Sequence, residues 1–211
     1  MLNAFIHSCW LTRWFAIRRR LDAPFRMIRD CIYCLLTGVG RYDPTWRFYG
    51  LPFIRINGRG SKLILGRRFI ASSCIERNAI GIIQRTVIKT HAPGAVIEIG
   101  DCSGISGGTI AAWKSIKIGS HVLIGSGAMI IDSDSHSLDW EKRRRGEASH
   151  TRPIVIEDDV FIGARAIILK GVTIGRGAII GAGAVVTSDI PAWSVAVGNP
   201  AKVVKSLELK V

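Results

Sequence analysis

The sequence predicts an all-β fold, a left-handed parallel β-helix with a short helical N-terminal segment. Three observations predict it: an apolar residue every six positions, a small or β-branched residue four positions further on, and 23 glycines in 211 residues. That much glycine is too much for a helical protein and lacks the every-third spacing of collagen, so it implies many tight backbone turns. A six-residue period fits neither the α-helix nor a simple alternating strand.

The explicit repeat begins at Ile99, Ile105 and Ala111. After one extra residue it continues at Ile118, Ile124 and Ile130, and after an interruption at Ile156, Ile162, Ile168, Ile174, Ile180 and Val186. Four residues after these leaders come Ser103, Thr109, Ser115, Val122, Ala128, Val160, Ala166, Val172, Ala178 and Ala184. Glycine often follows the leader directly, as at Gly100, Gly119, Gly125 and Gly163. A chain coiled into a triangular prism satisfies all of this. Each hexad supplies one face, and the leader points inward to stack on leaders one coil away, at roughly the 4.8 Å spacing of adjacent strands. The small residue lies where faces meet, and glycine relieves the backbone at turns.

Residues 1–50 differ from this pattern. Leu2, Phe5, Ile6, Cys9 and Trp10 recur at three- and four-residue steps, and Trp14, Phe15 and Ile17 follow before Arg18–Arg20, which reads as a short amphipathic helix in a basic, aromatic-rich segment. Arg13 interrupts the apolar stretch and no basic residue precedes it, so a signal peptide is not expected; the uncharged run Cys31–Gly40 is too short to span a bilayer. Trp and Phe beside clustered Arg is the composition of an interfacial helix, so the segment is expected either to touch a membrane surface peripherally or to pack on the main domain or a neighbouring subunit. From Pro52 to Gly100 the chain is rich in Ile, Val and Gly, as expected of irregular early coils. The expected organisation is a helical segment over 1–50, a β-helix over 51–205 with a loop excursion at 132–153, and a tail over 206–211.

The formal charge of +13 is uneven: residues 1–100 hold 16 Lys/Arg against 5 Asp/Glu, and residues 101–211 hold 13 against 11. A basic half attracts polyanions such as anionic lipid or acidic polysaccharide. No nucleic-acid-binding module accompanies the charge, so nucleic acid is not an expected partner. Five cysteines without a leader argue for a reducing compartment, hence a cytoplasmic location, with the inner face of the cytoplasmic membrane as the alternative if the N-terminal segment binds lipid. Cys31 and Cys34 form a CxxC with no second ligand pair, and read as core or membrane-facing residues.

The stretches IGSGAMIIDSDSHSLD, PIVIEDDVFIGARAIILKGVTIGRGAIIGAGAVVTSDIP and VGNPAKVVK resemble the hexapeptide-repeat acyltransferase superfamily, and within it the sugar O-acetyltransferases of the maltose, galactoside, nodulation and exopolysaccharide-biosynthesis type. The resemblance covers roughly Ile99 to Lys205. It implies a homotrimer of parallel prisms, acetyl-CoA as acyl donor in the groove between subunits, a sugar or glycan acceptor in surface polysaccharide or glycolipid synthesis, and no metal. It also places the catalytic histidine at His136, just inside the excursion. Imidazole titrates in the range a general base needs. Asp132 and Asp134 alternate with His136, so in extended chain the three share a face, suited to orienting the imidazole, binding sugar hydroxyls or chelating a metal.

By the same resemblance, Gly163, Ala164, Ala182 and Thr187 meet the pantetheine and adenine of CoA, and Lys202 and Lys205 meet its phosphates. Phe161 stands where the family has Trp. Arg165 replaces a small residue near the expected CoA groove, where a guanidinium aids phosphate binding or changes donor preference. Ser106 is a candidate acceptor contact. N-acetylation of an amino sugar or amino acid, and a non-enzymatic prism used as a scaffold, stay open as alternatives. A γ-class carbonic anhydrase shares the prism, but its three-histidine spacing is not recognisable around His91 and His121.

Overall fold

The computed structural model describes residues 23–147 and 149–208. The helix expected over residues 2–17 lies outside the described residues. The first described element is α1 (Ala23–Thr37), closed by Gly38 at φ 74° with the Val39 N–H donating to Cys34 O. No helix among the described residues is long and apolar enough to cross a membrane.

From Arg47 the chain winds as a left-handed parallel β-helix, each coil adding one strand to each of three sheets. The first coil is β1 (Arg47–Tyr49), β2 (Phe53–Ile56) and β3 (Lys62–Leu65). The second is β4 (Ile70–Ser72), β5 (Val87–Thr90) and β6 (Val96–Ile99), and the third β7 (Gly104–Ser106), β8 (Thr109–Ala112) and β9 (Ser115–Ile118). The fourth is β10 (Leu123–Ile124), β11 (Met129–Ile131) and, after the excursion with its short helix α2 (Trp140–Arg144), β12 (Ile154–Ile156). The fifth is β13 (Phe161–Ile162), β14 (Ile167–Ile168) and β15 (Thr173–Ile174). β16 (Ile179–Ile180) and β17 (Val185–Val186) begin the sixth, and an antiparallel pair, β18 (Ser194–Gly198) and β19 (Ala201–Ser206), ends the parallel stack.

The repeat leaders stack inward as three columns, one on each sheet. In the first sheet Ala71, Ile105, Ile124, Ile162 and Ile180 stack in register. The second stacks Ile54, Ile88, Ile110, Ile130, Ile168 and Val186, and the third Leu65, Ile99, Ile118, Ile156 and Ile174. One leader is corrected: Ile110, fully buried, stacks in the second sheet where the six-residue count names Ala111. The turn before it is one residue shorter, through Gly107 at φ 55° and Gly108, where a Cβ would lie 2.8 Å from Ala128 O.

The base of this prism would leave Trp46, Phe48 and Ile54 open to water, and α1 closes it. Cys34 is fully buried, the Tyr33 hydroxyl donates to Pro52 O at 2.5 Å and accepts from Ile54 N–H at 3.0 Å, and Tyr33 meets Phe48 edge-on.

Candidate functional site

Three edges run the length of the prism. The edge between second and third sheets carries His91, Trp113, Asp132 with the excursion, Lys170 and Thr187 on successive coils. The ladder pairing of Ile130 with Ile168 puts the residues two positions after each, Asp132 and Lys170, on this edge one coil apart.

Asp132 is wholly buried. Its carboxylate accepts the backbone N–H groups of Trp113, Lys114 and Ser115, each at 2.7 Å. Burial holds this carboxyl above the ordinary carboxylate range, with the three N–H groups working in the opposite direction. On the coil below, His91 stacks flat on Trp113 with ring centroids 4.0 Å apart. Asp132 thus ties the root of the excursion to the coil beneath it.

A short antiparallel ladder closes the excursion: Ser133 bridges Thr151, Asp134 N–H donates to His150 O, and Arg152 N–H donates to Asp132 O. The Ser133 and Ser149 hydroxyls meet at 2.7 Å. At Ser135, φ is 61°, its N–H donates to Ser133 Oγ, and the His136 N–H donates to Asp134 O at 2.7 Å. The expected extended chain is therefore a tight turn. Asp132 turns inward and the His136 side chain is exposed, so the two do not share a face.

Asp134 sits between them. One carboxylate oxygen accepts Lys170 Nζ at 2.5 Å; the other is buried and has no hydrogen-bond partner among the described residues. Lys170 escaped the sequence reading, although the register of Ile130 and Ile168 was the signal that could have found it. Further out, Asp139 caps α2 by accepting the Glu141 and Lys142 N–H groups, and Trp140 is exposed with Arg144 stacked on its ring.

Gly163, Ala164, Arg165 and Ala182 lie on a different edge, between first and second sheets, where turns of consecutive coils stack. Gly183 N–H donates to Ala164 O and Arg165 N–H to Ser126 O, both at 2.8 Å, with Arg165 at φ 58°. A Cβ on Gly163 would fall 2.5 Å from Ala182 N, so this glycine has a packing reason of its own. The segment 73–86 folds up this edge: Ser126 Oγ donates to Gly81 O and Gln84 Nε2 to Thr109 Oγ1.

Lys202 and Lys205 are exposed on β19, and Ser106 pairs with Ser72 in the first sheet. Within one chain the structure groups Asp134, His136 and Lys170, and places Thr187 on the same edge. It does not bring them to Gly163, Ala164, Arg165 and Ala182, from which the second sheet separates them. His91 and His121 are likewise on different edges.

The chain is similar to known proteins along the repeat. The family described as the hexapeptide repeat of succinyl-transferase matches residues 153–188. A Schizosaccharomyces pombe protein named as an acetyltransferase is 46% identical over 93 residues, 44% of either chain. The 2,3,4,5-tetrahydropyridine-2,6-dicarboxylate N-acetyltransferase of Staphylococcus aureus is 58% identical over 59 residues, 28% of this chain and 25% of that protein. The chain thus spans less than half the length of these curated relatives. The crystal structure of a hexapeptide-repeat-containing acetyltransferase from Vibrio cholerae superposes with a TM-score of 0.51 at 36% identity, covering 59% of this chain and 72% of that one. With repeat, fold and these likenesses together, the chain belongs to the hexapeptide-repeat acetyltransferases.

Proposed function

We propose that this protein is an acetyl-CoA-dependent O-acetyltransferase acting on a sugar hydroxyl in surface polysaccharide or glycolipid synthesis, with His136 as general base. One observation carries the reading: His136 is exposed immediately after the left-handed Ser135 at the root of the excursion, its N–H held by Asp134 O while the Asp134 carboxylate is tied to Lys170. The His136 imidazole takes the proton of the acceptor hydroxyl as its oxygen attacks the thioester carbonyl. A C–O bond forms, the C–S bond of the tetrahedral adduct breaks, and the CoA thiolate leaves with the proton returned by the imidazolium. Asp134, locked to Lys170, holds the turn from which His136 projects. Backbone N–H groups stabilise the oxyanion.

Gly163, Ala164, Arg165 and Ala182, with Thr187, Lys202 and Lys205, are the proposed CoA contacts. Because His136 and the Gly163 turn stand on different edges, a site that uses both draws on two subunits, which favours the homotrimer. An apolar outward ladder on the first sheet supports self-association: Leu123, Phe161, Ile179 and Val195 follow one another along it, with Ile70 beyond Gly104, Leu123 being 57% and Phe161 45% exposed. A second reading, transfer to an amine, is favoured by the N-acetyltransferase among the relatives.

The test is free-thiol release from acetyl-CoA against sugars, nucleotide sugars, lipid-linked saccharides and amino sugars, for the wild type and His136→Ala. Hydroxyl acceptors should turn over, and the substitution should lower kcat by roughly a hundredfold or more. Turnover with amines alone would favour the second reading; unchanged turnover in the variant would remove His136 as base. Absence of CoA binding would leave a scaffold.

A further inference from the structure

Helix α1 is amphipathic the wrong way round for a helix whose outer face meets water. Its charged residues, Arg26, Arg29 and Asp30, lie on the partly or fully buried side, and Arg29 ion-pairs with Asp30 while donating to Phe48 O. Its outward face holds Phe25, Ile28, Ile32, Leu35 and Leu36, from 52% to 79% exposed. With Met27 and Cys31 beside them, these cover about half of the helix circumference without a single charge. Scattered exposed apolar residues need no explanation, but a contiguous face of this kind marks a contact with something apolar.

We infer that α1 is an interfacial anchor that lays this face into an anionic lipid surface. Charge complementarity selects the lipid. A cleft of about 310 Å³ beside α1, which meets the apolar face at Met27, is lined by Arg26, Arg47 and Arg77 against one carboxylate, Asp30, which is paired with Arg29. Arg77 stacks 4.5 Å over the Tyr49 ring, which presents its guanidinium at the surface. Across residues 24–80 there are 10 Lys/Arg and 3 Asp/Glu, and Arg13 and Arg18–Arg20 precede the helix in sequence. An apolar helix face that adjoins an arginine-lined cleft at Met27 matches the two layers of a membrane surface, acyl chains below and phosphates beside them.

The experiment is co-sedimentation of the full chain with phosphatidylcholine vesicles, with and without phosphatidylglycerol, comparing wild type with Phe25→Glu/Leu36→Glu. Both side chains are at least 75% exposed, so the contacts that cap the prism should survive, read as an unchanged melting temperature. If the double variant melts lower, Phe25→Ser/Leu36→Ser replaces it. Wild type should pellet with phosphatidylglycerol vesicles, less at high salt, and the variant should lose roughly tenfold or more of its bound fraction. Equal pelleting of variant and wild type would overturn the inference, as would a wild type that stays in solution. So would a variant that changes oligomeric state without lipid, which would make the face a contact between copies. None of these readouts depends on catalysis.

Discussion

Asp132 and His136 are four residues apart and are placed in opposite ways, one wholly buried and the other exposed. Asp132 is buried to serve the scaffold, its carboxylate gathering three backbone N–H groups that the corner after β8 would otherwise leave unpaired. Asp132→Ala should cost about 3 kcal/mol of stability, because N–H groups lose a charged acceptor where water has little access. Urea denaturation checks this, and a cost near zero would mean that water replaces the carboxylate. Reading the three residues of DSDSH as one face assumed an extended chain. The positive φ at Ser135 was not legible, since serine is an ordinary residue in strands and turns alike.

At the scale of the element, the corners are set by backbone meeting backbone. Gly163 lies over the turn one coil on, with no room for a methyl group before Ala182 N. Gly163→Ala should therefore destabilise the fold by roughly 1–3 kcal/mol, visible as a lower melting temperature whether or not CoA is present. A fall in CoA affinity with unchanged melting would instead make its role one of ligand approach. The strands themselves were plainly written in the sequence, since Ile leaders at six-residue steps have no other simple use. The exception at Ile110 shows the limit of counting. A glycine-rich turn can drop one residue, and neighbouring Ile110 and Ala111 are both apolar enough to fill the leader position on pattern alone.

At the scale of the molecule, the stack of coils has two ends and three outward faces, and each raises the question of what covers it. α1 closes the base, and the β18/β19 pair ends the parallel stack at the other end. The first sheet presents its apolar ladder outward. If the proposed homotrimer forms through this ladder, Phe161→Glu should shift sedimentation velocity toward the monomer, with the proposed acetyl transfer falling in step, while circular dichroism keeps its β signature. A variant that sediments like the wild type would remove this ladder as the proposed subunit contact.

By itself the sequence determined the β-helix, the place where its repeat breaks and the histidine at that break, because six-residue periodicity is a local property that needs no knowledge of what lies across the fold. Only the tertiary structure decided which residues share an edge. It paired Asp134 with Lys170 across one coil, separated His136 from the Gly163 turn by a whole sheet, and turned the charged side of α1 toward the protein. These relations depend on how many residues each corner uses and on which side of a helix meets the core. Both are settled by packing between segments far apart in the chain.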